Sequence, residues 1–431
     1  MRLSRVVLFG VATWCLYVAA PQPFNPNGGD NLWYGPAAMS LAHRGTLDLS
    51  WFRADLAAQR PEDVWYVDID VDSRIIRHSG RHINRFPIGP SLLALPLVAL
   101  AEPLLGGPPT LHRANRLAAI AAATTATTSV LLLMALVWLL THDRRLTWGL
   151  GFFHAFASPH FSAHHSAFWS HNALQPFVLL ALILMVARAG RDIGLAALPL
   201  AFAYTMRSDA AIFIAAFSAC VVIWFRRSSV QHFALLGTGL AAFFIWSYRT
   251  YGVWQPPYYG LIPGAPVFTL DSLAGTLLSA NRGLFVFTPV YLLSAAGAAM
   301  VLASPRRYHP IYLLAAIGTC GQWLAIAILN PYWWGGFSYG PRLFCPVLPL
   351  LTLLLVPPLE AARQRLHGQR HGLLLVGSVA LAWSLFVQAR GAFASGPHEW
   401  NYEPIVDLHH EQLWNWSDLQ IFRQSRKIDG S

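Results

Sequence analysis

The side chains that could do chemistry in this chain gather in four short segments rich in Trp, Tyr, His and Arg. These segments are PHFSAHHSAFWSHN (159–172), YRTYGVWQPPYYG (248–260), SANRG (279–283) and NPYWWGGFSYGPR (330–342). Aromatic faces stack on the C–H faces of sugars, while a few polar groups fix the orientation of a ligand. The pattern favours a sugar-binding pocket. Trp and Tyr also form belts at membrane interfaces, so Trp333 and Trp334 keep that second interpretation.

Two further patterns match metal sites only in part. His160 and His164 are spaced i, i+4, as on one face of a metal-binding helix, but no carboxylate accompanies them locally. The stretch 64–78 also contains the start of a calcium-like loop at Asp68, but the sixth position is Ser73 rather than Gly and the twelfth is Ser79 rather than Glu. Its alternation favours a strand or hairpin with solvated aspartates. We therefore predict no metal site.

The composition shows which elements must position these side chains. The chain has 431 residues, of which 55% are hydrophobic and only 12% are charged, against about 25% charged in soluble domains. The apolar residues fall in runs of roughly 17–25, the length of a membrane-spanning helix. We expect an all-α polytopic membrane protein. The net charge of +10 indicates basic cytoplasmic loops rather than nucleic-acid binding. The four cysteines form no CxxC pair, which favours buried free thiols.

Short basic loops mark the cytoplasmic side of a membrane protein. The candidates are MRLSR at the start, HDRR (142–145), RAGRD (188–192), RRSS (226–229), SPRRYH (304–309) and ARQRLHGQRHG (362–372). Neighbouring basic loops bracket pairs of apolar runs. This pattern predicts about 11 transmembrane helices, a cytoplasmic N-terminus and an external C-terminal tail.

The first part of the chain fits that topology only if one of its two apolar runs does not cross the membrane. The runs are 88–106 and about 115–141, and both precede a basic loop that must be cytoplasmic. The first contains Pro90, Pro96 and Pro103, and proline disfavours helical geometry. We predict that 88–106 is an interfacial or re-entrant segment on the outer face. Arg85 then stands at the edge of an outer cavity.

Several motifs resemble those of the GT-C class of polyprenyl-phosphate-sugar glycosyltransferases, especially protein mannosyltransferases and the aminoarabinose transferases of lipid A. NPNGGDNLWYGPAAMSLAHRGTLDL supplies Asp30 where the family has an acidic pair, with Asn31 in the second place. NRFPIGPSLLALPL stands where the family has a KPPL-type motif, with Arg85 for Lys and Phe86 for Pro. SPHFSAHHSAFWSHN, TMRSD, SANRGLFVFTP and YWWGGFSYGPRLFCPVLP add to the likeness, which covers nearly the whole chain.

The resemblance implies a fold, an activity and a location. The fold is a GT-C-like transmembrane catalytic domain over 1–391, including a small outer loop over 21–112, followed by an extracytoplasmic tail over 392–431. The activity is inverting transfer of a sugar from a polyprenyl-phosphate donor to a hydroxyl of a glycan, lipid or protein acceptor. The reaction takes place at the outer face of the bacterial cytoplasmic (inner) membrane.

The resemblance also implies roles for particular residues. Asp30 is the catalytic base, and Arg85 holds the donor phosphate. Further candidates for phosphate or acceptor contacts are Arg207, Arg282 and Arg342, and the candidates for the sugar pocket are His171, Trp333, Trp334 and Tyr339. No cofactor is predicted, and use of a divalent cation stays open.

Each of these interpretations has an alternative. Arg85 would otherwise be a snorkelling interfacial anchor, and Asp30 part of an ordinary Asn/Asp/Gly turn. The Arg207 and Asp209 pair would otherwise mark only a tight outer turn between two apolar runs. A multi-span lipid or sugar transporter or flippase also fits about eleven spans, although the sequence has no inverted repeat. A membrane scaffold that binds a partner through its tail is the third class.

Overall fold

The computed structural model describes residues 2–20, 31–52, 75–105, 110–164, 168–187, 193–260, 269–365 and 370–425. The first helices are α1 (Leu3–Ala19), α2 (Asn31–Arg44), α3 (Gly89–Leu105), α4 (Leu111–Thr141), α5 (Arg144–Phe156), α6 (Pro159–His164), α7 (Ser170–Ala187), α8 (Ala197–Met206), α9 (Ala210–Trp224) and α10 (Ser229–Tyr251). The later ones are α11 (Leu270–Leu278), α12 (Leu284–Phe287), α13 (Tyr291–Ala303), α14 (Pro310–Leu329), α15 (Leu348–Leu353), α16 (Val356–Arg365), α17 (Arg370–Phe393) and α18 (Gly396–Glu399). The prediction of a nearly all-α chain is confirmed.

Six helical segments in the described part of the chain are long and apolar enough to cross a bilayer. They are Leu111–Thr141, Ser170–Ala187, Arg226–Tyr251, Pro310–Leu329, Arg342–Arg363 and Leu374–Phe393. Shorter apolar helices accompany them, namely α1, α3, α8, α9 and α13. After the basic loop 142–145, helix α5 has only 13 residues. These helices indicate a multi-pass membrane protein, and the count of eleven spans stays a prediction.

The proline-rich run that follows Arg85 is a continuous helix. Helix α3 extends over 17 residues with Pro96 and Pro103 inside it, so the expectation that its prolines disfavour helical geometry is wrong. A proline removes only one N–H donor, and both prolines lie on exposed positions of α3. Here α3 packs against α2 and α4, and Ala94 and Val98 are fully buried. Whether α3 crosses the bilayer or lies along it stays a prediction.

The predicted hairpin is present at the end of the alternating stretch. Strands β1 (Ile75–His78) and β2 (Arg81–Asn84) pair antiparallel. Ser79 and Gly80 form the two-residue turn with φ values of 51° and 77°. Positive φ at both turn positions matches the right-handed twist of the paired strands. The hairpin prediction is confirmed for these residues, and its earlier part at 64–74 lies outside the described residues.

A single carboxylate attaches this hairpin to the segment after α2. Asp48 accepts hydrogen bonds from the backbone N–H groups of His82 (3.0 Å) and Ser50 (3.1 Å) and from the Ser50 hydroxyl (2.6 Å). Burial alone would raise the pKa of Asp48, but these hydrogen bonds outweigh it and hold the pKa below its usual value. The carboxylate therefore stays ionised at neutral pH and keeps the hairpin against residues 47–52.

Two glycines allow helices to approach each other at backbone distance. A Cβ on Gly35 of α2 would lie 2.4 Å from the carbonyl oxygen of Ala114 in α4. A Cβ on Gly89, the first residue of α3, would lie 2.6 Å from the carbonyl oxygen of Thr205 in α8. Both separations are far below van der Waals contact. The second contact brings the segment that carries Arg85 against the end of α8.

The C-terminal tail packs into the fold up to residue 425. It forms α18 and 3-10 turns at His410–Trp414 and Gln420–Phe422. Trp400 and Ile421 are fully buried. The predicted domain boundary at 391–392 falls within α17, and the division itself stays a prediction.

The contacts of the basic loops agree with the predicted grouping of the two membrane faces. Asp143 belongs to the loop 142–145, and it forms an ion pair with Arg363 of the loop 362–372. Both loops are predicted to be cytoplasmic. Asp143 also caps α5 by accepting hydrogen bonds from the backbone N–H groups of Arg145 and Leu146. Arg363 ends the apolar segment Arg342–Arg363. Arg342, at the opposite end, belongs to the polar, aromatic segment 330–342.

Candidate functional site

A polar cluster forms where helices α7, α8 and α9 end or begin. Arg207, directly after α8, presents Nε and Nη2 to the two carboxylate oxygens of Asp209, each at 3.2 Å. Its Nη1 lies 3.3 Å from the Ser170 hydroxyl and 3.2 Å from Nε2 of His171. We call Arg207, Asp209, Ser170, His171 and Gln322 the Arg207 cluster. The motif TMRSD connects the apolar helices α8 and α9. It therefore places the Arg207–Asp209 ion pair at the junction of these helices.

Gln322 connects this cluster to a fourth helix. It belongs to α14, is buried, and donates from Nε2 to Asp209 Oδ2 at 3.2 Å. The Asp209 carboxylate is therefore held by a guanidinium and an amide together. A polar side chain in the apolar run 310–329 is the signal that could have revealed this residue, since such groups need partners inside the membrane region.

Arg342 lies on the other side of the start of α7. Its Cζ is 4.3 Å from the centre of the Trp169 ring, which is a cation–π contact. Its Nη2 donates to the carbonyl oxygen of Gly335 at 2.7 Å. Trp169 directly precedes Ser170, so Arg342 and Arg207 contact adjacent residues of one segment.

Arg85 is linked to the same end of the helix bundle by a short 3-10 turn, Pro257–Gly260. The backbone N–H of Tyr258 donates to the carbonyl oxygen of Arg85 at 3.3 Å. The hydroxyl of Tyr259 donates to the carbonyl oxygen of Tyr204 at 2.5 Å, three residues before Arg207. Burial raises the pKa of Tyr259 well above its usual value, so this hydroxyl stays protonated. The segments of Arg85, Arg207 and Arg342 therefore lie on one face of the bundle.

Arg282 occupies a different environment, buried among three chain segments. Its five N–H donors have five acceptors, which are the carbonyl oxygens of Trp334 (2.8 Å), Asn281 (2.7 Å) and Gly336 (3.3 Å) and the side-chain oxygens of Gln420 (2.7 Å) and Asn401 (2.6 Å). Only 1% of its surface is exposed. This set of contacts, here called the tail anchor, joins the turn before α12 to the loop before residue 342 and to the C-terminal tail.

Burial and the positive charge of Arg342 lower the pKa of Arg282 to about 9. The guanidinium is still charged at neutral pH and donates through all five groups. Four of its bonds are 2.6–2.8 Å long, the range of strong charge-assisted bonds. The geometry favours a structural role for Arg282.

The aromatic residues predicted for a sugar pocket are buried in contacts with the tail and neighbouring helices. Trp334 donates from Nε1 to Asp407 at 2.7 Å, and its ring centre is 4.1 Å from that of His410. Tyr339 is 2% exposed and donates to the carbonyl oxygen of Val387 at 2.8 Å. Trp333 packs closely against Gly275 of α11. Their rings therefore contact protein rather than an open pocket, whereas His171 lies in the Arg207 cluster.

Asp30, the predicted catalytic base, lies outside the described residues. The residue before Arg85, Asn84, donates to the carbonyl oxygen of Trp33 in the first turn of α2 at 3.2 Å. His160 is buried, with its ring stacked on that of His154 at 4.4 Å. In the described residues, no group of three or more His, Cys, Asp or Glu side chains is arranged to hold a metal.

One buried ionic group was not among the predicted sites. Glu102 of α3 lies 2.6 Å from Nε2 of His43 and 3.8 Å from Nη1 of Arg113. It joins the ends of α2 and α3 to the start of α4. The sequence could have indicated this group, because an acidic residue inside the apolar run 88–106 needs a partner.

No protein-family model, curated protein or solved structure matches this chain. Cationic side chains at the ends of apolar helices, next to hydroxyl, imidazole and amide groups, are suited to holding an anionic ligand at a membrane surface.

Proposed function

We propose that this protein is a membrane glycosyltransferase of the GT-C type, which moves a sugar from a polyprenyl-phosphate donor to an acceptor hydroxyl. The proposed location is the outer face of the bacterial cytoplasmic membrane. The observation that carries the proposal is the indirect link between the segments of Arg85, Arg207 and Arg342, which runs through the turn 257–260 and through Trp169 at the start of α7. A lipid-linked phosphate needs cationic groups at that position, beside hydrocarbon.

The proposed reaction is an inverting displacement. The acceptor hydroxyl attacks the anomeric carbon, and the bond between that carbon and the phosphate oxygen breaks. The electron pair leaves with polyprenyl phosphate, a stable anion, so the leaving group needs no proton. Asp30 takes the proton from the attacking hydroxyl, while arginines stabilise the charge that develops on the phosphate.

The hydrogen-bond lengths distinguish the arginines that suit this role. The contacts of Arg207 with Asp209, Ser170 and His171 measure 3.2–3.3 Å, longer than the 2.7–2.9 Å typical of charge-assisted bonds. A phosphate can replace those to Ser170 and His171, which carry no negative charge. Arg282 would have to give up several short bonds to do the same. We therefore assign the donor phosphate to Arg85, Arg207 and Arg342, and Arg282 to the tail anchor.

The test is transfer of radiolabelled polyprenyl-phosphate sugars to a cell-envelope acceptor fraction by the detergent-solubilised protein. Arg207→Gln should lower the transfer rate about 100-fold, a typical loss for one group that stabilises transition-state charge. Asp30→Asn should lower it at least as much. Arg113→Gln is the matched control, because Arg113 and Arg207 side chains are both 13% exposed and both are paired with an acid.

Equal losses in Arg207→Gln and Arg113→Gln would indicate a general effect on stability and would contradict the site. Transfer that survives Asp30→Asn would keep the enzyme class and move the base elsewhere. If the wild type carries the labelled lipid across vesicle membranes unaltered and transfers nothing, the protein is a transporter.

A further inference from the structure

A cavity lies between the hairpin, the end of α2 and the last turns of α10. Its volume is about 290 Å³, the room of roughly ten water molecules at ~30 Å³ each. We call it the hairpin cavity. It shares no residue with the Arg207 cluster or the tail anchor.

Three basic side chains line this cavity, and each comes from a different strand or helix. His78 ends β1, Arg81 begins β2, and Arg249 lies in the last turn of α10. Arg81 and Arg249 are exposed. Within the part of the chain that the structure describes, none of the three forms an ion pair with a carboxylate, in contrast to Arg113, Arg207 and Arg363. Among the described lining residues, two guanidinium groups and an imidazole have no carboxylate beside them, which suits an anion.

Apolar side chains form another part of the lining, with three hydroxyl groups among them. The apolar side chains are Leu41, Leu47, Ile83, Ile88 and Trp246, and the hydroxyls belong to Thr46, Ser79 and Thr250. A free inorganic anion gains nothing from such walls, whereas the glycerol and first methylenes of a lipid would be buried against them. The chemistry of the lining therefore matches an amphiphilic anion.

The position of the cavity along the bundle also fits a lipid headgroup. Arg249 is at the end of a helix long and apolar enough to cross a bilayer. The rings of Tyr248 and Trp254 stack at 4.8 Å beside it and are 50% and 61% exposed. Exposed Tyr and Trp at a helix end mark the interface between hydrocarbon and water.

We propose that the hairpin cavity binds the phosphate headgroup of an anionic phospholipid from the surrounding leaflet. Arg81 and Arg249 hold the phosphate oxygens, and Trp246 and the aliphatic walls contact the glycerol region. The lipid would connect the hairpin to α10. The site is independent of the proposed catalytic reaction, because it uses none of the residues assigned to the donor phosphate.

The experiment is native mass spectrometry of the full-length protein in detergent, titrated with phosphatidylglycerol or with phosphatidylcholine of the same acyl chains. The wild type should prefer phosphatidylglycerol. The double variant Arg81→Gln with Arg249→Gln should lose about thirtyfold in that affinity, from roughly fivefold per arginine. The matched control is Arg226→Gln with Arg227→Gln, which removes the same charge at the exposed start of the same helical segment and should keep the affinity.

Equal losses in the two double variants would show unspecific attraction to anionic lipid and overturn the proposal. Equal affinity of the wild type for both lipids would do the same. Inorganic phosphate that displaces the lipid at a similar concentration would identify a free anion as the ligand instead. If the first double variant does not fold, Arg249→Gln alone should show about a fivefold loss.

Discussion

At the scale of single residues, the structure gives different roles to side chains that look alike in the sequence. Arg207 and Arg282 both stand beside apolar runs in short polar motifs. One contacts its partners at 3.2–3.3 Å near a helix junction, and the other is buried with all five donors engaged. Bond length and burial, rather than residue type, separate a ligand-binding candidate from a structural anchor.

Replacement of Arg282 by Lys should destabilise the protein by roughly 2–4 kcal/mol. An ammonium has three donors, so at least two of the five hydrogen bonds are lost. Each loss costs about 1–2 kcal/mol, because Gly336, Gln420 and Asn401 keep a second donor. The measurement is the free energy or midpoint of unfolding in detergent. Arg423→Lys is the control, because Arg423 is 31% exposed and lies 3.7 Å from Asp418; it should change stability by less than about 0.5 kcal/mol. Equal effects of the two variants would contradict the tail anchor.

At the scale of elements, the candidate site depends on where helices end and how closely they approach. Helix α3 begins at Gly89, whose contact with Thr205 leaves no space for a side chain. That contact sets the position of Arg85 relative to Arg207. Because the donor phosphate is proposed to contact both arginines, small shifts of this junction should affect binding.

The substitution Gly89→Ala should push the start of α3 away from α8. An added Cβ would meet backbone at 2.6 Å, and overpacking of this kind costs about 1–3 kcal/mol. The expected result is a lower unfolding midpoint and a raised KM for the lipid donor. Gly149→Ala is the control, because a Cβ there meets nothing within 4 Å and helical Ala is favoured over Gly by about 1 kcal/mol. A fully stable and active Gly89→Ala protein would show that the junction does not position the site.

At the scale of the whole molecule, the contacts join loops that are predicted to lie on the same face of the membrane. The Asp143–Arg363 ion pair joins two loops that the charge pattern places in the cytoplasm. The Arg207 cluster, Arg342 and the tail anchor join segments predicted on the outer face. These contacts agree with the grouping, and labelling can test which group faces the cytoplasm.

A membrane-impermeant maleimide should distinguish Ser417→Cys from Ser304→Cys. Both serines are exposed, the first in the tail and the second in the basic loop 304–309. Each variant carries Cys15→Ser as well, because the native Cys15 is exposed. In cells with a permeabilised outer membrane, the thiol introduced in the tail should react at once, and the thiol introduced in the basic loop only after lysis. The reverse labelling order would invert the predicted topology, and equal labelling would show that both positions lie on one face.

Local sequence was enough to predict the nearly all-α class, the apolar helices and a strand or hairpin in the stretch 64–78, of which residues 75–78 form the first strand. These features follow from composition and from side-chain periodicity, which need no distant partner. Only the packing of distant segments shows that the run 88–106 is a helix, since it packs against α2 and α4 while Pro96 and Pro103 stay exposed. The same is true of Arg282 as an anchor, because its partner Asn401 lies 119 residues away. Roles that depend on such distant acceptors cannot be read from a motif, since the same arginine in another setting would donate to water or to other groups.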